Sequence, residues 1–356
     1  MTAAGSGRPR ELARRLAIPT LGLAISVVAI WMALRGIDLA QTAALIGGVR
    51  PGPLVLVGVV LFLQLCVRAL RWSLLLPDGP AGRVRPRRLV PVVLVGYLGN
   101  AVLPARLGDP IRAVLVGQRE GIPISAAFGS VVLERAVDTL TLALVAAPAA
   151  ALAGAPDWFV RAALLIAIAS GGVVLATQTP WPSRSVGWIA ARVGARWSPW
   201  VRRADRFVQA MDRRGHGRAL AAAGGLSVVT WILDGTMYWA AARALGIDLS
   251  PVGGMFISGI TVLGTAIPSA PGYVGTFELA ASTAAQAMGV APGAALGLAV
   301  LVHAVTVVPL ALGGAASLVW IGSGFRSLTD AARAGADPAA PAPAAPRSVA
   351  AEVHPR

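Results

Sequence analysis

Long apolar stretches separated by short arginine-bearing segments set the pattern of this chain. The first apolar run spans Leu16–Leu34 and follows a polar, basic stretch with Arg8, Arg10, Arg14 and Arg15. Further runs lie at about 53–76, 89–104, 123–153, 159–177, 219–245, 251–268, 273–290 and 294–321. A run of about 20 apolar residues is long enough to cross a bilayer as a helix. The first run is therefore read as an uncleaved membrane helix, because a secretory signal has a shorter apolar region and is not followed by many more spans. The pattern predicts an all-α, polytopic transmembrane bundle. Residues 1–15 form a cytoplasmic N-terminus, 16–322 the membrane domain, and 323–356 a disordered, Ala/Pro-rich cytoplasmic tail, densest from Asp337 to Pro346.

Charge orients the helices. Arg8 to Arg15, the segment with Arg83, Arg85, Arg87 and Arg88, and the 178–218 segment with nine arginines are placed on the cytoplasmic side. The loops at 35–52 and 154–158 carry little charge and are placed outside. A single crossing by 89–104 contradicts these assignments. A re-entrant hairpin over 89–121, broken around Asn100, Pro104 and Gly108, satisfies them, and such a break is tolerated at depth where protein or a water-filled cavity covers it. Residues 251–290, interrupted by Pro268-Ser269-Ala270-Pro271-Gly272, either form a second hairpin or cross twice. The prediction is six full spans plus two re-entrant hairpins, or eight spans, with halves arranged as an inverted repeat. Paired interrupted segments in matching positions point to a transporter's midplane site.

Composition sharpens this picture. Only 13% of the 356 residues are charged and 56% are hydrophobic, against about a quarter charged in soluble domains. Such a chain lacks a water-facing surface. The formal charge of +15 comes from arginine alone, since the sequence has no lysine. Its distribution between apolar runs argues for membrane orientation and against nucleic acid. One cysteine, Cys66, rules out an internal disulfide framework, and His216, His303 and His354 stand apart from carboxylates at ligand spacing. No metal, cofactor or nucleotide motif is present, and none of the common hydrolase signatures. A basic amphipathic stripe of Trp197, Trp200, Val201, Ala204, Phe207, Val208 and Met211 suits either the anionic leaflet surface or the bundle's own loops.

Three polar groups carry candidate chemistry. After the break near Asn100, Asp109 and Arg112 lie three apart on one helical face and can pair, and Arg106 and Arg112 offer forked donors for a phosphate or carboxylate. Glu134, Arg135 and Asp138 fall about 15 Å into a helix starting near Ile124, close to the midplane. Each ionisable group there costs about 2.5–3.5 kcal/mol even on the lenient insertion scale. Arg135 reaches Asp138 at i+3, while Glu134 and Asp138 share a face. The third group is Gly272-Tyr273-Val274-Gly275-Thr276-Phe277-Glu278, where glycines precede a helix start near Thr276 and the amides there suit an anion. Arg68, Arg71 and Trp72 are read as interfacial anchors, and Asp234 and His303 as satisfied packing.

These residues carry a family resemblance. Arg68-Ala-Leu-Arg71-Trp72, Asn100-Ala-Val-Leu-Pro104-Ala-Arg106-Leu-Gly108-Asp109-Pro-Ile-Arg112, Glu134-Arg135-Ala-Val-Asp138 and Pro271-Gly272-Tyr-Val-Gly275-Thr-Phe-Glu278 resemble, in order, the lysylphosphatidylglycerol synthetase transmembrane (flippase-like) family over roughly 12–322. Gly272-Tyr273 stands where the family more often has Gly-Gly, and Asp109 where Glu is common. The resemblance implies a lipid translocator in the bacterial cytoplasmic membrane, without the cytosolic aminoacyl-transfer domain fused to some members. The expected cargo is an anionic, aminoacylated or polyprenyl-phosphate-linked lipid, whose phosphate-bearing headgroup meets Arg106, Arg112 and Arg135. The alternatives are a membrane-embedded headgroup transferase and a non-catalytic partner of a separate synthetase or glycosyltransferase.

Overall fold

A computed structural model of the protein describes residues 8–103, 106–152, 157–190, 192, 208, 211, 216–267 and 269–322. The expected amphipathic stripe over 197–211, apart from Val208 and Met211, lies outside the described residues, as do residues 1–7, the 323–356 tail and the two break prolines, Pro104 and Pro268. Among the described residues the fold is all-helical. Its helices are α1 (Arg8–Leu34), α2 (Leu39–Gly47), α3 (Pro51–Leu75), α4 (Pro86–Val102), α5 (Gly108–Glu120) and α6 (Ile124–Leu152). They continue with α7 (Asp157–Ala176), α8 (Trp181–Ala190), α9 (Gly217–Ala244), α10 (Pro251–Gly264), α11 (Thr276–Ala287) and α12 (Pro292–Trp320).

Three helices, α3, α9 and α12, are long and apolar enough to cross a membrane by themselves. A fourth span is available if α1 and α2 count together, although the chain bends by 86° between them. The short α2 was not anticipated in the 35–52 loop. Asp38 starts it by accepting the amides of Ala40 and Gln41 at 2.9 and 3.1 Å, the usual answer to a helix's unpaired first N–H groups. The outer faces are apolar: Val27, Val28 and Trp31 on α1, Phe62 on α3, Leu165 and Ile168 on α7, and Leu312 and Val319 on α12 are all exposed. Water penalises such a surface and lipid does not.

Among the described residues, two large apolar clusters make up most of the interior, with two small ones beside them. One large cluster joins Ala69 and Trp72 of α3 to α4, α5 and the start of α6. The other joins Val57 and Val60 of the same α3 to α9, α10, α11 and α12, and is rich in alanine (Ala240, Ala241, Ala281, Ala284, Ala285, Ala295, Ala299). Small residues let helix backbones approach where no hydrophobic gradient drives them together. At the centre of each large cluster two short helices pack against each other, α4 on α5 and α10 on α11.

Both helix pairs are closed by glycine. A Cβ on Gly108 would sit 1.9 Å from the Gly96 carbonyl oxygen and 2.6 Å from Asn100 Oδ1, so only a bare backbone fits where α4 and α5 cross. Asn100 then caps α5 by accepting the Gly108 amide at 2.9 Å. In the second pair a Cβ on Gly264 would lie 2.4 Å from Ala280 Cβ. The breaks foreseen near Asn100–Gly108 and Pro268–Gly272 thus coincide with the gaps between these helices.

Candidate functional site

The site starts on α3. Arg71, three residues after Arg68 and with no exposed surface, points between α6 and α9. Its Nη1 donates to Asp138 Oδ1 and, at 2.8 Å, to Ser227 Oγ on α9. Its Nη2 donates to Glu134 Oε1 at 2.6 Å and to Asp138 Oδ2 at 3.0 Å. Glu134 and Asp138 are one turn apart on α6, so a single guanidinium spans both carboxylates. Forked donors fit this arrangement and an ammonium does not.

Around that centre the charges alternate. Arg112 of α5 reaches Glu134 Oε2 at 2.9 Å and Asp109 Oδ1 at 3.3 Å, with its guanidinium 4.8 Å from the Trp72 ring. Arg135, its side chain 41% exposed, lies 3.7 Å from Asp109 and Glu134 and 3.8 Å from Asp138. Trp72 is itself fixed, donating Nε1 to Ser130 Oγ at 3.1 Å. A neighbouring unit one turn back along the same face of α3 joins Asp234 of α9 to Gln64 at 2.6 Å and to Arg68 at 3.3 Å. Buried ions survive only where each finds a partner, and every carboxylate here has one.

The two gaps between short helices meet beside this cluster. Arg106 donates Nη2 to the Thr265 carbonyl at 2.7 Å and to Thr265 Oγ1 at 3.1 Å, and its guanidinium lies 5.3 Å from the Tyr273 ring. Among the described residues, Arg106 (φ 55°) and Tyr273 (φ 61°) are the two non-glycine positions in left-handed backbone. Such strain persists where surrounding contacts fix it, commonly at functional sites. The turn at Gly272, the tip of the second pair, lies beside the end of α4, the tip of the first, where a Cβ on Gly272 would meet the Ala101 carbonyl oxygen at 3.5 Å.

A cavity of about 230 Å³ opens at this junction. Arg68, Arg106, Arg112, Arg135, Asp109, Glu134, Asp138 and Asp234 line it, with Tyr97, Asn100, Tyr273 and Phe277. With Arg71 behind them, five guanidiniums face four carboxylates. Arg106 is the cation that pairs with no carboxylate among the described residues.

The structure thus gathers Asn100, Arg106, Asp109, Arg112, Glu134, Arg135, Asp138 and Gly272 around one cavity. Gly275 and Glu278 lie behind it. The amide expected to bind an anion at the α11 start is taken internally: Gly275 N donates to Glu278 Oε2 at 2.7 Å. One expectation is not met, and the two residues expected as satisfied packing also border the cavity. Arg68, Arg71 and Trp72 are not interfacial anchors, since Arg71 and Trp72 are fully buried and Arg68 lines the cavity. Asp234 also lines it, paired to Arg68. His303 lines it too, bonded to Glu278 Oε1 and to the Gly272 carbonyl at 2.8 Å. The arginine pair Arg68 and Arg71, on one face of an otherwise apolar span, was the available signal.

Residues 20–314, nearly all of the membrane part, match the family described as lysylphosphatidylglycerol synthase TM region. The chain belongs to this family. It is also 28% identical to glycosyltransferase AglD of Haloferax volcanii over 88% of this chain, which spans about half (55%) of that relative's length. Multi-pass membrane character therefore rests on the family as well as on the apolar helices.

Proposed function

We propose that the protein translocates a phosphate-bearing lipid between leaflets, its headgroup passing through the cavity where the two short helix pairs meet. The observation that carries this is Arg106. It is a guanidinium in surplus over the local carboxylates, held by a backbone carbonyl and a hydroxyl that an anion can displace. A phosphodiester carries one negative charge, which matches that surplus. The cavity suits a compact headgroup, while the apolar outer faces suit acyl or polyprenyl chains. Arg112 and Arg135 border the same space, with Glu134, Asp138 and Asp109 balancing their charge.

In this reading α4–α5 and α10–α11 are re-entrant hairpins of opposite orientation within six spans, in a bacterial cytoplasmic membrane with both termini inside. The arginine-rich 77–88 and 178–218 segments support the orientation. The test is reconstitution in liposomes with a leaflet-selective quencher of a labelled phospholipid. Arg106→Ala is expected to slow flipping at least about tenfold while leaving the fold intact. Unchanged rates in both Arg106→Ala and Glu134→Gln would sink the site.

A second reading rests on the relative that is named a glycosyltransferase. Here the membrane domain serves a separate transferase as the lipid-handling partner. Co-purification of such an enzyme, with no flipping by the chain alone, would favour it.

A further inference from the structure

Behind the cavity, the second tip is held by a different kind of contact. His303 of α12 is buried, stacked on Phe277 with ring centroids 4.3 Å apart and planes 17° from parallel. Both of its ring nitrogens face acceptors: Nδ1 meets Glu278 Oε1, and Nε2 meets the Gly272 carbonyl at 2.8 Å. A neutral imidazole has one N–H and one lone pair. A carbonyl never donates, and an ionised carboxylate never does. Neutral histidine beside ionised Glu278 therefore leaves one of the two contacts as lone pair against lone pair. Both contacts are satisfied only when the pair holds one more proton, as imidazolium with carboxylate or as imidazole with a carboxylic acid.

The surroundings offer no other route to that balance. Glu278 Oε2 is already taken by the Gly275 amide. From the elements packed around α12 and the tips, the ionisable groups reaching the same cavity are Tyr97, Tyr238, Asp234, Arg68, Arg106 and Tyr273, beyond the cluster of Asp109, Arg112, Glu134, Arg135 and Asp138. Asp234 is bound to Arg68 and Gln64, and the described contacts of His303 are those to Glu278, Gly272 and Phe277.

We infer that His303 and Glu278 form a proton-binding site that latches the second tip, so that losing one proton releases Gly272 and loosens the junction between the two tips. On loss of the proton, the remaining N–H stays with the charged Glu278 acceptor. Nε2 then presents a lone pair to the Gly272 oxygen, and the two must separate. Gly272 is also where the second tip lies beside Ala101 of the first. One proton is thereby linked to the closure of the cavity.

The biological meaning rests on the translocator reading, but the test uses no transport. The chain has three histidines, so the H216Q/H354Q variant leaves His303 as the only one for ¹⁵N spectroscopy in lipid nanodiscs. The expected result near neutral pH is either an imidazole with both nitrogens protonated or an infrared carboxylic-acid band that disappears in E278Q. A neutral imidazole beside an ionised Glu278 overturns the site. Spin labels at the exposed positions Val102 and Ile267, with Cys66→Ser, then report the distance between tips. It is expected to lengthen as pH rises past the point where the spectra show proton loss. A distance unchanged across that transition overturns the linkage, whatever the flipping assay shows.

Discussion

The two short helix pairs share a shape and differ in chemistry. Each packs at the centre of its own apolar cluster and closes on glycine. The first pair, α4–α5, supplies Arg106, Asp109 and Arg112 to a network with α3 and α6 and holds fixed charge. The second, α10–α11, has a single carboxylate, Glu278, facing one histidine. Arginine keeps its charge at every physiological pH, whereas histidine and carboxylate exchange protons. Under the proposed function the two helix pairs divide the labour: one presents a permanent counter-charge to a headgroup, and the other changes state.

The largest expected effect breaks the first side of that comparison. Arg71→Met removes the cation shared by Glu134 and Asp138, leaving buried carboxylates short of a partner. Breaking a buried pair from one side costs about 3–5 kcal/mol, enough to leave little folded protein in a detergent thermal-unfolding assay. Adding Asp138→Asn alone to Arg71→Met is expected to recover much of the loss, because one positive and one negative charge then leave together while Glu134 keeps Arg112. If Arg71→Met unfolds at the wild-type temperature, the network does not support the fold. Beside the second pair, His303→Gln on α12 keeps a neutral donor and acceptor in place and is expected to cost less.

Next in size are the two closures. Overpacking a tight contact typically costs about 1–3 kcal/mol. Gly108→Ala puts its methyl against the Gly96 carbonyl, whereas Gly264→Ala meets the Ala280 side chain. Replacing Ala280 with glycine should rescue Gly264→Ala in a melting experiment. No side-chain truncation should rescue Gly108→Ala, since the obstacle is backbone. Rescue of both, or of neither, would mean that the hairpins do not close as described.

Much of this organisation is legible in the sequence, and the exceptions share a cause. Asp109–Arg112 and Arg135–Asp138 are local pairs, set by the three-residue spacing of a helix, and both are present. The interruptions at Asn100–Gly108 and Pro268–Gly272 are written in residue type. Arg71 was misjudged because its partners, Glu134, Asp138 and Ser227, lie 63, 67 and 156 residues away. Near the end of an apolar run, a guanidinium followed by tryptophan reads as an anchor unless a partner helix is known. The partners that satisfy Asp234 and His303 are equally non-local, since Arg68 is 166 residues from Asp234 and Gly272 is 31 from His303. Helical periodicity reveals which residues share a face, not which face another helix will meet.

The smallest effect probes how Arg112 at the first pair and His303 beside the second are each backed by an aromatic ring. Trp72 underlies Arg112 and Phe277 stacks on His303. Trp72 also has a polar tie, its Nε1–H to Ser130 Oγ, which Phe277 cannot have. Trp72→Phe keeps a ring beneath Arg112 but deletes that hydrogen bond, at a cost of about 1 kcal/mol. Ser130→Ala should cost a similar amount, and the double variant little more than either, because both remove the same bond. Additive losses in the melting temperatures would show that Trp72 acts through bulk alone. Phe277→Leu, which keeps volume and loses the flat face, should then alter the ¹⁵N signals of His303 while barely moving stability. Beside the second pair, the ring stacks flat on the imidazole. In the first, it lies beneath the Arg112 guanidinium.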